Sequence, residues 1–249
     1  MAQSTLTELH LNKYGKISDK WSSYLAYYDF LFRPLRDAPI KIFEIGMQNG
    51  GSLETWSQYF KNAELIVGCD INEKCAALTY KDTHIKVVIG DANSQATCDK
   101  INSYGQFDII IDDGSHASDD ILLSFLNYFP HVKPGGIYVV EDTHAVYLSP
   151  GTGIKNKHNV LCFFKELTDL VNYQFWSKEQ TIESLLSPCS RGLQAPEFLQ
   201  DGWIESLEFR NSIVTIKKSL SGDHNKLGSR EVCGNIAAVE PFMADMVKR

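Results

Sequence analysis

Acidic residues follow two apolar, β-branched runs of this sequence, at the point where each run ends. Asp113 comes just after residues 107–111, and Glu141 and Asp142 come just after residues 137–140. Both runs are typical of buried parallel strands, and neighbouring strands of this kind carry ligand sites at their carboxyl ends. Clustered carboxylates repel one another unless a hard divalent cation takes their oxygens or one of them is protonated. The pattern favours a metal site formed by Asp113, Glu141 and Asp142.

His116 stands three residues after Asp113 and is a candidate general base. An imidazole changes its charge near neutral pH, which suits a group that must accept a proton. The ordinary alternative is that Asp112 or Asp113 caps a helix beginning near Ser118 and that His116 is a solvated turn residue. The second pair of acids, after the other strand, has no packing purpose and favours the chemical interpretation.

The segment from Glu44 to Ser52 ends one strand and opens a helix, with glycines that let the backbone approach a ligand closely. Gly46 and Gly50 have the spacing G-x-x-x-G. A dinucleotide site would carry a further glycine where this sequence has Gln48. The spacing therefore argues against a bound pyrophosphate.

Acidic residues also end the next two predicted strands. Asp70 is placed to accept hydrogen bonds from ribose hydroxyls, and Asp91, followed by Ala92, is placed to meet an adenine ring. Each feature alone is weak, because an acid at a strand end is more often a helix cap. Their order along the chain predicts a ligand with ribose and adenine but no pyrophosphate.

The chain alternates strands and helices from Pro39 onward, which predicts an α/β fold with a doubly wound, mostly parallel sheet. Helical stretches include residues 53–60 and 121–129. Residues 203–207 and 212–217 are typical of an antiparallel hairpin added at the sheet edge. The candidate parallel strands are residues 40–45, 65–69, 86–89, 107–111 and 137–140.

Three segments are predicted. They are an amino-terminal helical segment packed on the core (1–38), a main domain with a lid or acceptor insertion at 145–200 (39–218), and a carboxyl-terminal tail (219–249). The amino-terminal helix is expected to begin near Ser18, with its aromatic stripe as plain core. The Gly- and Pro-rich loop at 145–160 is a candidate lid over the site.

Composition excludes several classes of partner. The 249 residues carry a formal net charge of −7, which argues against a general grip on nucleic acid or an anionic membrane. Six scattered cysteines without a C-x-x-C pair suggest reduced thiols in a cytoplasmic protein. The sequence shows no signal pattern and no apolar run approaching the ~18 residues of a membrane span. A soluble protein is expected.

The motif series resembles that of class I S-adenosylmethionine-dependent methyltransferases, and the hairpin matches the antiparallel edge strand of that fold. More narrowly, residues 44–53, 111–116 and 129–144 resemble the metal-dependent macrolide-sugar O-methyltransferases of the macrocin and mycinamicin group. Cephalosporin hydroxylase-like proteins share that site. The resemblance implies S-adenosylmethionine as donor, contacted by Glu44, Gly46, Gly50, Ser52, Asp70, Asp91, Ala92 and Asp112.

The same resemblance implies Mg²⁺, with Mn²⁺ as an alternative, held by Asp113, Glu141 and Asp142, and His116 as the base. The expected reaction methylates a hydroxyl of a sugar, a glycosylated natural product or a polysaccharide. The expected partner is thus a small-molecule or glycan acceptor, with a homo-oligomer possible. Two alternatives stay open, namely a non-catalytic or accessory adenosyl-binding protein and an NAD-dependent oxidoreductase. His144 either lines the acceptor pocket or has no role.

Overall fold

The computed structural model describes residues 3–148, 159–186, 197–199, 202–221 and 226–246. Within these ranges, seven strands form one sheet in the order β3-β2-β1-β4-β5-β7-β6. The strands are β1 (Lys41–Ile45), β2 (Leu65–Asp70), β3 (Ile85–Ile89), β4 (Phe107–Asp112), β5 (Val132–Val140), β6 (Ile204–Arg210) and β7 (Ile213–Lys218).

Strands β1 to β5 pair in parallel, while β7 runs antiparallel to β5 and to the edge strand β6. The expected α/β class, with a mostly parallel sheet and an antiparallel hairpin, is confirmed. The predicted hairpin connection at 208–211 is too long, because Glu208 and Phe209 pair with Thr215 and Val214. Polar residues are tolerated in β6 because one face of an edge strand meets water. The turn is made at Ser212, whose φ is 66°.

Helices cover both faces of the sheet, and two buried clusters of apolar side chains lie under them. The first three helices belong with one cluster, and the fourth to eighth with the other. The helices are α1 (Leu6–Leu11), α2 (Ser22–Phe32), α3 (Gly51–Tyr59), α4 (Gln95–Asn102), α5 (Ser118–Tyr128), α6 (Ala145–Leu148), α7 (Val160–Leu170) and α8 (Ile182–Leu186). This is the doubly wound arrangement that the strand-helix alternation predicts.

The amino-terminal helix begins at Ser22, so the predicted start near Ser18 is wrong. Residues 12–21 instead form a non-helical strap that crosses the amino-terminal end of α3, where the Lys13 ammonium donates to the Gly51 carbonyl. The short α1 was not predicted, although its capping box of Thr5 and Glu8 is readable in the sequence.

Some predictions fall partly outside the described residues. Of the candidate lid at 145–160, the structure gives α6 but does not cover 149–158, so its role as a lid stays a prediction. The division at residues 38 and 218 also stays a prediction. The five cysteines in the described ranges are free thiols, as expected, and Cys189 lies outside them. Among the described helices, none is both long and apolar enough to cross a membrane.

The buried ammonium of Lys218, in β7, should make the free energy of unfolding depend on pH. Its side chain is 7 % exposed and donates to the carbonyls of Pro130 and Val132, and burial lowers its pKa to about 8. Between pH 8 and 10.5 the unfolded chain binds a proton that the folded chain has released, so stability from this group rises with pH. Relative to Lys218→Met, the wild-type free energy of unfolding should rise by about 2 kcal/mol from pH 7 to pH 10 in urea titrations.

The matched control is Lys217→Met, since Lys217 is 41 % exposed at the side chain and pairs with Glu205. A pH-independent difference between wild type and Lys218→Met would contradict the assignment.

Candidate active site

The carboxyl ends of β1, β4 and β5 meet at one edge of the sheet, as the sequence predicts. Backbone hydrogen bonds join them there, from Asp113 N–H to the Ile45 carbonyl at 3.0 Å and from Glu141 N–H to the Asp112 carbonyl at 2.9 Å. Because β4 and β5 are neighbours, the acids that follow these two strands lie side by side.

Asp113, His116 and Asp142 form the acidic cluster of this edge. One ligand atom from each lies within 4.8 Å of the others. His116 Nε2 is 4.0 Å from Asp113 Oδ1 and 3.7 Å from Asp142 Oδ2. The three side chains are 20 to 29 % exposed, so a cation or a substrate can reach them from solvent.

Backbone strain is concentrated at this site. Only four non-glycine residues in the described ranges have a positive φ, and three of them line a cavity at this edge of the sheet: Gln48 (46°), His116 (57°) and Asp142 (52°). Left-handed conformations are uncommon outside glycine, and they persist where the surrounding structure fixes them. Two members of the acidic cluster, His116 and Asp142, are therefore held in place by the backbone as well as by contacts.

Glu141, predicted as the third metal ligand, has other partners here. Its Oε1 accepts hydrogen bonds from the Lys20 ammonium at 2.8 Å and from the Tyr28 hydroxyl at 2.8 Å, and the residue is 2 % exposed. The structure thus brings together Asp113 and Asp142 with His116, while the Glu141 carboxylate is bonded to Lys20 and Tyr28. The role of Glu141 as a metal ligand stays a prediction.

The electrostatics of the inner acids follow from burial. Burial raises the pKa of Glu141 and of Glu44, and the Lys20 ammonium works against this rise. Burial acts to lower the pKa of Lys20, but the carboxylates of Glu141, Glu44 and Asp113 outweigh it and hold the pKa well above its usual value. Lys20 is therefore charged at neutral pH.

Four residues near the site were missed by the sequence analysis. Lys20 and Trp21 were assigned to a helix start, and Tyr24 and Tyr28 to plain core. In the structure the Trp21 indole donates to Asp142 Oδ1 at 3.0 Å, and the Tyr24 hydroxyl donates to the same oxygen at 2.7 Å. The signal was the presence of tyrosine rather than phenylalanine at two positions one helical turn apart.

A cavity of about 580 Å³ opens beside the acidic cluster, a size that suits a small-molecule ligand. Most of the predicted donor-site residues line it, namely Gly46, Ser52, Asp70, Asp91, Ala92 and Asp112. Glu44 and Gly50 lie behind its wall.

The acids of this cavity are ordered by the backbone around them. Asp70 accepts hydrogen bonds from the N–H groups of Gln48 and Asn72, at 2.8 and 2.9 Å. Asp91 accepts one from Asn93 N–H at 2.9 Å. Burial raises the pKa of Asp112 to about 7. Their roles toward a ligand stay predictions.

Glu44 acts on the cavity wall from behind. Its Oε2 accepts hydrogen bonds from the Ser52 hydroxyl at 2.6 Å and from the Trp56 indole at 3.2 Å. Ser52 lines the cavity, so Glu44 supports the start of α3 there.

Gly46 is a position where a side chain cannot fit. Its φ is 84°, and an added Cβ would lie 2.0 Å from the Asp113 carbonyl oxygen. Gly105 is a matched control, because its φ is 87° but the nearest atom to an added Cβ is Lys41 Nζ at 3.8 Å. In urea titrations, Gly105→Ala should cost about 1 kcal/mol and Gly46→Ala at least about 3 kcal/mol. Equal losses would contradict the close approach.

The residues present fit a divalent cation and an adenosyl ligand. Two carboxylates and one imidazole offer converging ligand atoms, and oxygen donors suit Mg²⁺ and Mn²⁺. The glycine turn lets a ligand approach the backbone closely. Asp70 and Asp91, which are predicted to contact the ribose and the adenine, both line the cavity.

Comparisons with known proteins bear on the family and the fold of this chain. Residues 43–143 match the family described as a methyltransferase domain. Demethylmacrocin O-methyltransferase of Streptomyces fradiae is 36 % identical over 174 residues, covering 64 % of this chain and 43 % of the relative. The 8-demethyl-8-alpha-L-rhamnosyl tetracenomycin-C 2′-O-methyltransferase of Streptomyces olivaceus is 30 % identical over 219 residues, covering 83 % and 53 %. The chain spans about half the length of these relatives.

Among solved structures, the MycE methyltransferase of mycinamycin biosynthesis, in complex with Mg and S-adenosylhomocysteine (SAH), has a TM-score of 0.72 at 28 % identity. The match covers 91 % of this chain and 55 % of that one. A further structure of MycE also contains mycinamycin VI, with a TM-score of 0.69 at 26 % identity over 92 % and 58 % of the two chains. By sequence and fold, this chain therefore carries a methyltransferase domain and is a homologue of the macrolide-sugar O-methyltransferases of the macrocin and mycinamicin group.

Proposed function

We propose that this protein transfers a methyl group from S-adenosylmethionine to a sugar hydroxyl of a glycosylated small molecule, with a divalent cation at the acidic cluster. The observation that carries the proposal is the position of Asp113, His116 and Asp142 at the edge of the cavity that the glycine turn, Asp70 and Asp91 line. A donor and an acceptor bound there would meet.

Donor binding uses the cavity side of this edge. When bound, S-adenosylmethionine supplies a methyl group on a positively charged sulfur. The Gly46 backbone lies against Asp113, so the donor site and the acidic cluster share a wall. Fixing donor and acceptor in one orientation can contribute an effective molarity of ~10⁵ M or more.

Asp113 and Asp142 would hold the cation through their carboxylate oxygens. When bound, a divalent ion supplies positive charge that favours deprotonation of a nearby hydroxyl. Tyr24 and Trp21 fix Asp142, and its left-handed backbone fixes it further. Glu141 is the candidate third oxygen ligand, and it is committed to Lys20 in this structure.

His116 is the candidate base. Its Nε2 faces both carboxylates, so it can either accept a proton from a hydroxyl brought there or bind the cation itself. Imidazole is a poor ligand for a hard ion such as Mg²⁺, which favours the role of a base. Nε2 would then take the hydroxyl proton while the acceptor oxygen takes the methyl group, leaving a methyl ether and SAH.

Trp21 supports a sugar acceptor. The residue is 59 % exposed and lines the cavity, and its ring packs edge-on against His144, with the centroids 6.1 Å apart. An exposed indole beside a reactive cluster suits stacking on the apolar face of a sugar ring. Since MycE has been crystallised with mycinamycin VI and another relative is named for a rhamnosyl tetracenomycin-C acceptor, a glycosylated natural product is the first acceptor class to test.

The test is incubation with methyl-labelled S-adenosylmethionine and a panel of rhamnosides, macrolide glycosides and capsular polysaccharides. Transfer is expected to a sugar hydroxyl of a glycoside, to stop after EDTA treatment and gel filtration, and to return with Mg²⁺ or Mn²⁺. Undiminished transfer after metal removal would contradict the proposed role of the cation.

A binding titration separates this proposal from the oxidoreductase alternative. SAH should bind in the micromolar range or tighter, because the cavity matches an adenosyl ligand, and NAD should bind far more weakly, because Gln48 replaces a fingerprint glycine. Equal affinity for both would contradict the donor assignment. Donor binding without transfer to any acceptor class would favour the accessory role.

A further inference from the structure

Lys20 places a cation inside the acidic site. Its Nζ lies 2.5 Å from Asp113 Oδ2, 2.8 Å from Glu141 Oε1 and 3.3 Å from Glu44 Oε1, and its side chain is 4 % exposed. The ammonium therefore stands between the carboxylates of Asp113 and Glu141, which are two of the three groups expected to bind a divalent ion.

This contact divides the acids into two sets. Asp113, His116 and Asp142 form the outer, metal-competent set, while Glu141 is held in the inner set by Lys20 and Tyr28. A hard divalent ion prefers about six oxygen ligands. The outer set offers two carboxylates, so recruiting Glu141 would improve the site, and the Lys20 ammonium prevents this.

A second acceptor for the ammonium is already in place. Glu44 Oε2 is satisfied by Ser52 and Trp56, but Glu44 Oε1 is buried and accepts no hydrogen bond from any described residue. A buried carboxylate oxygen without a hydrogen bond is costly, and the ion pair with Lys20 offsets this cost only in part. Because Lys20 Nζ is 3.3 Å from it, a small side-chain movement would turn this ion-pair contact into a hydrogen bond.

We propose that the Lys20 ammonium occupies part of the metal site when no metal is bound. When a divalent ion binds, the ammonium would leave Asp113 and Glu141 and bond to Glu44 Oε1 instead. Glu141 is then free to join Asp113 and Asp142. This inference rests on the proposed divalent site and deepens it, because it makes Lys20 the residue that sets how tightly the site binds metal. Glu44 lies behind the donor cavity, so the same movement links the metal side of the site to the donor side.

The physical reason is charge. An ammonium and a divalent ion that share ligands repel each other strongly in a buried site. Metal binding must therefore overcome both this repulsion and the loss of two hydrogen bonds to Lys20. Removing the ammonium removes both costs.

The test measures metal binding rather than activity. Metal-stripped wild type, Lys20→Met and Lys13→Met are titrated with Mn²⁺, and free Mn²⁺ is read by electron paramagnetic resonance. Lys20→Met is expected to bind Mn²⁺ at least about tenfold more tightly than wild type. Lys13→Met is the matched control on the same strap, because its ammonium contacts Gly51 and Glu54 instead, and its affinity should stay within about twofold.

Folding of Lys20→Met is checked through its melting temperature with and without Mn²⁺. A variant that binds metal only when folded gains stability with added metal, and a larger gain than in wild type is the expected result. A smaller gain would count against the proposal even if the variant is less stable overall.

Glu44→Gln tests whether Glu44 is the second acceptor of the Lys20 ammonium. It should weaken Mn²⁺ binding in the wild-type background by about threefold to tenfold, because Lys20 then has no second anion to move to. In the Lys20→Met background the same change should have a smaller effect. The double-mutant cycle separates this coupling from the loss of one negative charge, which acts in both backgrounds.

The outcomes are distinct. If wild type binds Mn²⁺ and Lys20→Met binds it equally or more weakly, the Lys20 proposal is wrong and the divalent site stands. If the effects of Glu44→Gln and Lys20→Met on Mn²⁺ affinity are additive, the proposed movement of Lys20 onto Glu44 is wrong. If neither wild type nor Lys20→Met binds Mn²⁺, both the Lys20 proposal and the divalent site are overturned, whatever the methyl-transfer assay gives.

Discussion

Asp113→Asn is expected to lower kcat for methyl transfer by about 10²- to 10⁴-fold. Asp113 faces His116, lies on the wall shared with Gly46 and also contacts the Lys20 ammonium. The variant would lose one charged ligand of the cation. Positive charge near an attacking oxygen lowers the activation free energy by several kcal/mol, and about 1.4 kcal/mol corresponds to a tenfold change in rate. The measurement is steady-state methyl transfer at saturating Mg²⁺, with the Mn²⁺ affinity determined in parallel.

The matched control for Asp113→Asn is Asp108→Asn. Asp108 is on the same strand, but it bonds Lys41 N–H and the Lys133 ammonium away from the cavity. It should keep near-normal kcat and metal affinity, although some stability will be lost. Both variants should bind SAH as wild type does. An Asp113→Asn enzyme with more than a tenth of normal activity and unchanged metal affinity would show that the cation is held elsewhere.

His116→Ala is expected to lower kcat by about 10²- to 10⁴-fold while leaving the affinities for SAH and Mn²⁺ within about threefold of wild type. This split follows from the assignment of Nε2 as proton acceptor rather than ligand. If His116 binds the cation instead, the same variant will lose Mn²⁺ affinity along with activity. The measurement is therefore a pair, kcat from labelled methyl transfer and Kd from Mn²⁺ titration.

His131→Ala is the control histidine, because His131 lies just before β5, at the opposite end of that strand from Glu141. It should change neither quantity appreciably. Normal turnover by His116→Ala at neutral pH would remove the base assignment, and the proton would then have to leave by another route.

Local pattern explains how much of the fold could be predicted. The parallel strands are continuous β-branched runs, so their cores were placed to within a residue or so, with one exception. β5 begins at Val132 rather than at 137, because the segment before Ile137 pairs with β4 through a register shift that carries Gly135 at a φ of 77°. A Pro-Gly-Gly sequence indicates a turn, and only the neighbouring strand makes it part of the sheet.

The donor cavity was largely readable for the same reason. Strand ends and glycine turns are local features, and Gly46, Asp70 and Asp91 all reach the cavity. Glu44 has the expected place in the sequence, but its side chain turns into the interior, where Ser52 and Trp56 bond it. Which way a side chain points from a buried strand depends on what packs behind it.

By itself, the sequence determined the strands, the acids at their carboxyl ends and the methyltransferase motif series, because strand period and the direction of a parallel sheet place those residues together. Only the tertiary structure determines which of the acids contact the Lys20 ammonium. Lys20 is 93 residues from Asp113 and 121 from Glu141, and no local pattern links them. Its ammonium reaches both only because the amino-terminal strap crosses the sheet edge, and buried charges pair with whatever opposite charge the fold brings within reach.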